Sequence, residues 1–254
     1  MKLKKIIVGS AVLASLFTLS ACNNNKNQPM TQSQKSATKL AKSSPQDIAK
    51  KACSYDYNSA TIDTIRQAPL SSSKKTIQIK TRVVYNLNKK ALKMDMIEPR
   101  AIVDAKAKGK IHVINYADGK ALVSKINGQW GPSSRDKGRK ENKAGQTLVT
   151  NTMKIFTNKK ANVTKSSIAD MNSQLTTLDY NGLANGIQAI GQMKVDNQTG
   201  KATYISLKQY KVNSKNSAKK KLVSSIEISD LNQRNDFKLP KDVVARLKAV
   251  EKGK

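Results

Sequence analysis

Histidine occurs once in these 254 residues, cysteine twice, and aromatic side chains make up only 4%. Nucleophile–base chemistry ordinarily needs a histidine, and His112 stands alone between Ile111 and Val113 in a strand-like run. No Gly-x-Ser-x-Gly elbow, His-Glu-x-x-His pair or phosphate-cradling glycine loop occurs. The 17 acidic residues are separated, so spacing supports neither a carboxylate pair nor a hard-metal cluster. The chain therefore reads as a non-enzyme with no metal and no cofactor. The few aromatics are not interleaved with the basic residues, as a base-stacking surface requires, which argues against nucleic acid as a partner.

What the sequence does have begins at its first residues. Lys2, Lys4 and Lys5 precede an apolar run of 14 residues from Ile6 to Leu19, followed by the small residues Ser20 and Ala21 and then Cys22. A basic start, an apolar middle and a small-residue cleavage site make a secretion signal, and a bilayer-crossing helix needs about 20 apolar residues. Leu19-Ser20-Ala21-Cys22 resembles the lipobox of bacterial lipoproteins, in which the cysteine thiol receives diacylglycerol and the signal, here residues 1–21, is removed. The resemblance implies that Cys22 anchors the chain to the extracytoplasmic face of the cell membrane, and two acyl chains hold a protein there durably. With Cys22 acylated, Cys53 has no partner for a disulfide. Its neighbours Ile48, Ala49 and Ala52 suggest a small buried residue in a helix rather than a reactive thiol.

Charge is strongly of one sign. Lys and Arg number 47, for a net +30, and removing residues 1–21 takes away three lysines and no acid, leaving +27. Outside a cell that charge favours acidic lipid head groups and anionic wall polymers, an attraction that salt weakens. The lysines come mostly as scattered pairs, such as Lys50-Lys51, Lys74-Lys75, Lys89-Lys90 and Lys159-Lys160. Arg135 to Lys143 and Lys219 to Lys221 are denser and are expected in loops or at strand ends.

Residues 22–44, polar and almost free of large apolar side chains, read as the lipidated start and a flexible tether; a coil of that length spans roughly 25 Å. Residues 45–254 read as a single domain. Ser44-Pro45-Gln46-Asp47 predicts a helix start. Thr76 to Leu87 alternates with period two, and Ala91 to Glu98 follows it with Leu92, Met94 and Met96 on one face. Asp118-Gly119 predicts a hairpin between Lys110–Tyr116 and Lys120–Ile126. After a glycine- and charge-rich loop at 131–145, Leu148, Val149, Thr152, Met153 and Phe156 make a helical stripe. A short helix is expected over Leu183 to Ile190, then strands over 192–195, 203–212 and 222–231, and a last helix after Pro240 carrying Val243, Val244, Leu247 and Val250. The fold class is α+β: a curved antiparallel sheet, an incomplete barrel, with helices covering the concave face.

Met94-Asp95-Met96-Ile97-Glu98-Pro99, Asn115-Tyr116-Ala117-Asp118-Gly119-Lys120 before Trp130, the mid-chain helix, Val195-Asp196-Asn197-Gln198-Thr199-Gly200 and Phe237-Lys238-Leu239-Pro240, taken in order over residues 75–242, resemble the half-barrel lipoprotein superfamily that includes LolA, LolB and the LppX-type carriers. The resemblance implies a monomeric carrier or sensor for a lipid or acyl ligand held between sheet and helices. Ile77, Ile79, Val83, Tyr85, Leu92, Met94, Met96, Met153 and Phe156 are the candidate cavity lining, and methionines suit an adaptable cavity. The same residues would equally fill a core, leaving a cationic module that meets wall polymers or lipid head groups through its surface. With three Phe and one Trp, the chain lacks the aromatic-rich concave face of LolA and looks more like lipoproteins of Gram-positive bacteria.

Overall fold

Ser44 caps the first helix as its sequence suggests: the Asp47 N–H donates to the Ser44 hydroxyl at 3.2 Å, and Pro45 occupies the first turn, where its missing N–H costs nothing. In the computed structural model of the protein, which describes residues 39–40, 42–69, 76–100, 108–135, 137–158, 162–166, 175–213 and 216–253, this helix α1 spans Pro45–Cys53 and buries Ile48, Ala49 and Ala52. The signal, Leu19, Ser20, Ala21, Cys22, Lys74-Lys75 and Lys159-Lys160 lie outside the described residues. Lys39, Leu40 and Lys42 are helical and Leu40 is buried, so packed structure reaches into the end of the segment expected as tether.

Eleven strands follow: β1 (Ser59–Pro69), β2 (Thr76–Asn86), β3 (Ala91–Pro99), β4 (Lys110–Ala117), β5 (Leu122–Ile126) and β6 (Gln129–Ser134), then, beyond helix α2 (Lys137–Lys154) and a 3₁₀ turn (Ile155–Thr157), β7 (Asn162–Ser166), β8 (Leu175–Ala184), β9 (Ile187–Asp196), β10 (Ala202–Asn213) and β11 (Asn216–Ser229). Helix α3 (Lys241–Lys252) closes the chain. All pairings are antiparallel in one sheet of order β6-β5-β4-β3-β2-β1-β11-β10-β9-β8-β7. Two meanders are thus joined at the centre, where Ile62 pairs with Ile228, and the sheet is not closed, since β6 and β7 are its edges. Pro132 in β6 suits an edge, where its missing N–H breaks no ladder.

Three expectations are corrected. Leu183 to Ile190 is not a helix but a hairpin: Asn185 and Gly186 both take positive φ (50° and 72°), the geometry of a two-residue turn that matches strand twist, and β8 and β9 pair on either side. The loop expected at 131–145 is instead the end of β6 and the first half of α2, so Lys137 to Lys143 is helical. Lys219 to Lys221 lies inside β11, neither in a loop nor at the strand's end.

Paired residues in neighbouring antiparallel strands share a face. One face carries Ala60–Tyr85–Leu92–Ala117 and Ile62–Val83–Met94, continued through Ile228, Ile205, Met193 and Leu178. These side chains form one core with Ile48, Ala49 and Ala52 of α1 and with Val149, Met153 and Phe156. The opposite face carries Thr61–Val84–Lys93–Tyr116–Val123, and there Tyr116 and Val123 pack with Val243, Leu247 and Val250 of α3. Helices covering a single face were expected; α1 and α2 share one, but α3 lies on the other.

Candidate functional site

The nine residues nominated as cavity lining all fall on the α1–α2 side, and the structure divides them. Tyr85 is fully buried, donates its hydroxyl proton to the Tyr57 carbonyl at 2.9 Å, and lies so close to α2 that a Cβ on Gly145 would sit 2.6 Å from its ring. Phe156 packs on Tyr180 with ring centroids 6.0 Å apart and stands over Gly191. Together with Ile79, Val83, Leu92 and Met153, these two side chains are closed off from solvent, so six of the nine are core. Ile77, Met94 and Met96 are half-buried. On the same face Met96 is aligned across the strands with Thr81, Val113 and Ile126, all at least partly open, and Ile126 is 38% exposed. Leu148, on the flank of α2, is 37% exposed. The apolar surface therefore runs on beyond the packed part of the helix–sheet interface, centred on β3 and β4.

Tyr57 ties that interface together. Its hydroxyl donates to the Ala52 carbonyl of α1 at 2.9 Å and accepts the Ala202 N–H of β10 at 2.8 Å; burial pushes its pKa up to about 12, although the Ala202 bond pulls the other way. Cys53, at the end of α1, is half-buried, and burial pushes its thiol up to about 11 against the opposing pull of the Lys154 charge. A thiol held neutral is a poor nucleophile.

On the opposite face His112 donates from Nε2 to Asp95 at 2.6 Å, and Lys93 stands 3.2 Å from the same carboxylate. Partial burial raises the Asp95 pKa, but the hydrogen bonds and charges of His112 and Lys93 outweigh it and hold the carboxyl below its usual range. This cluster is an ion pair with a histidine attached. Neither it nor any other group of His, Cys, Asp and Glu among the described residues has the makings of a metal site. Nearby Lys125 bonds Asp242 at 2.8 Å and stands 4.4 Å from the Trp130 ring centroid, fastening the start of α3 to β5.

Sequence reasoning missed a concavity on the α3 face. A groove of about 490 Å³ opens between α3 and the turns after β2 and β4, lined by Lys89, Lys90, Lys120, Lys238 and Lys248 together with Leu239, Val244 and Leu247 and two acids, Asp118 and Glu251. Asp118 is occupied by its own turn, accepting the Lys120 and Ala121 N–H groups at 3.0 Å each. Glu251 meets Lys120 at 3.7 Å. The signal that could have found the groove is parity: in a meander the turns after β2 and β4 fall at the same end, so Lys89-Lys90 and Lys120 had to be neighbours.

Among the described residues no helix is long and apolar enough to cross a membrane. The chain matches no protein-family model, and no curated protein matches it.

Proposed function

We propose that this is an extracytoplasmic lipoprotein, anchored through diacylglycerol on Cys22, that binds a lipid-like amphiphile on the α1–α2 side of its sheet, as a half-barrel of the LolA, LolB and LppX kind. On this reading the sheet curves around α1 and α2, the six closed residues are the floor that fixes the helices, and the acyl chain enters beside Met94 and Met96. The observation that carries the reading is the half-open apolar band of Met94, Met96, Val113 and Ile126, continuous with the core yet not used up by it. Unbranched methionine side chains re-pack around ligands of differing length at little cost. The role is binding without chemistry, in keeping with a lone histidine whose ring is engaged by Asp95. Placement at the cell membrane rests on the lipobox alone.

The experiment is native mass spectrometry of a chain beginning at Asn23, which keeps every described element, together with uptake of a fluorescent fatty acid. A co-purifying acyl lipid and saturable uptake are expected. A bare protein that takes up no fatty acid would sink the amphiphile reading and leave a surface module in its place.

A further inference from the structure

The lysine groove beside α3 is on the other side of the sheet from Met94 and Met96, and the amphiphile band makes no use of it. Its five ammonium groups come from three separate stretches of chain: the β2–β3 turn, the β4–β5 turn, and the segment from Lys238 into α3. Of these five, Lys120 alone has a carboxylate of the described residues within ion-pair distance; Lys89, Lys90, Lys238 and Lys248 have none. Like charges gathered in one concavity repel one another and attract anions, more strongly where low-dielectric walls focus the field. The lining is lysine without arginine, which suits point-charge contact with phosphate rather than bidentate capture of a carboxylate. Leu239 and Val244, both partly exposed, supply apolar lining, of no use to a bare hydrated anion but suited to the carbon skeleton next to a phosphodiester. A volume of about 490 Å³ falls in the range of small-molecule sites and takes one head group.

We infer that this groove is a second binding site, specific for the glycerophosphate head group of an anionic lipid. The choice of a lipid source rests on the membrane location proposed above; the charge and shape of the groove do not. A head group held here would fix the orientation of the domain against the membrane, with α3 facing the lipid.

Lysine acylation rates, read residue by residue by mass spectrometry on the full chain in nanodiscs, test the inference. Phosphatidylcholine nanodiscs, the same with phosphatidylglycerol, and phosphatidylcholine nanodiscs with free sn-glycerol 3-phosphate are the three arms. We expect Lys89, Lys90, Lys238 and Lys248 to react several-fold more slowly with phosphatidylglycerol present, with Lys208 and Lys211 unchanged, and free glycerol phosphate to protect the same four at higher concentration. The pair Lys89→Gln and Lys248→Gln should abolish protection of Lys238, whereas Lys208→Gln with Lys211→Gln, the same loss of charge on exposed strand positions, should leave it intact. Protection by free glycerol phosphate alone would overturn the lipid source, and equal protection of Lys208 and Lys211 would overturn the site, reducing it to bulk charge. No protection in any arm would overturn both. The amphiphile reading survives each of these outcomes, because its fatty-acid uptake is measured on the opposite face.

Discussion

Tyr57 joins α1 to the sheet, because one hydroxyl both donates to α1 and accepts from β10. Tyr57→Phe leaves the buried Ala202 N–H and the Ala52 carbonyl without that partner, at a cost of about 1–3 kcal/mol. Tyr85→Phe removes a single donated bond to the Tyr57 carbonyl and should cost about 1 kcal/mol. Urea unfolding of both variants is expected to rank Tyr57→Phe as the more damaging. Cys53 gives a pH-dependent counterpart. With its thiol held up at about 11, iodoacetamide should modify it slowly at neutral pH, and the rate should climb only as pH approaches that value; fast modification near pH 8 would show that the thiol is not desolvated. The character of Cys53 was legible from its apolar neighbours within one helical turn. That of Tyr57 was not, because its hydroxyl partner in β10 is 145 residues away and no local pattern marks such a contact.

At the scale of elements, the seat of α2 on the sheet turns on Gly145. Alanine in a helix interior is normally better than glycine by about 1 kcal/mol. Here a Cβ would meet the Tyr85 ring at 2.6 Å, and that ring is pinned by its bond to Tyr57, so overpacking of about 1–3 kcal/mol works against the propensity gain. Gly145→Ala is therefore expected to lower the urea midpoint; a raised midpoint would mean that α2 docks more loosely than described. The turn at Asn185-Gly186 is subject to a different constraint. Gly186→Ala puts a side chain at φ 72°, where L residues are strained, and should cost about 1 kcal/mol although the space around it is open.

These same elements set what could be read in advance. The Val149, Thr152, Met153 and Phe156 stripe located the second half of α2, but residues 137–144, charged or polar apart from Gly138 and Ala144, carry no stripe and looked like loop. The apolar residues of 183–190 were mistaken for a helical pattern although Asn-Gly is a strong hairpin signal, and the turn chemistry won. β1, the central strand, went unrecognised because its apolar alternation stops after Ala60 and Ile62, with Ile65 out of phase and Arg66 on the apolar side. The two strong period-two runs and the Asp118-Gly119 hairpin, which depend only on near neighbours, came through with boundaries close to those observed.

For the whole molecule, the decisive pairing is β1 with β11, strands at opposite ends of the domain sequence whose union fixes two meanders into one open sheet. Non-local pairing of this kind leaves no trace in a single sequence, so an open antiparallel sheet with helices was legible and the strand order was not. The placement of α3 on the far face was equally hidden, since its stripe of Val243, Leu247 and Val250 says that it packs but not where. The candidate site was half legible. Alternation put the seven strand residues among the nine on one face and helical spacing grouped Met153 with Phe156, yet neither pattern could separate the six that are closed from Ile77, Met94 and Met96, which depends on how far α2 reaches across the strands.

That separation makes the methionines the natural reporters of amphiphile binding. With methyl-labelled methionine, NMR spectra of the chain beginning at Asn23 should show the Met94 and Met96 methyls shifting in saturable fashion as a long-chain fatty acid is added, while Met193, buried in the closed core on the same face, stays in place. Unmoved Met94 and Met96 signals at saturating fatty acid, or an equal shift of Met193, would contradict an amphiphile site at the open end of the α1–α2 face.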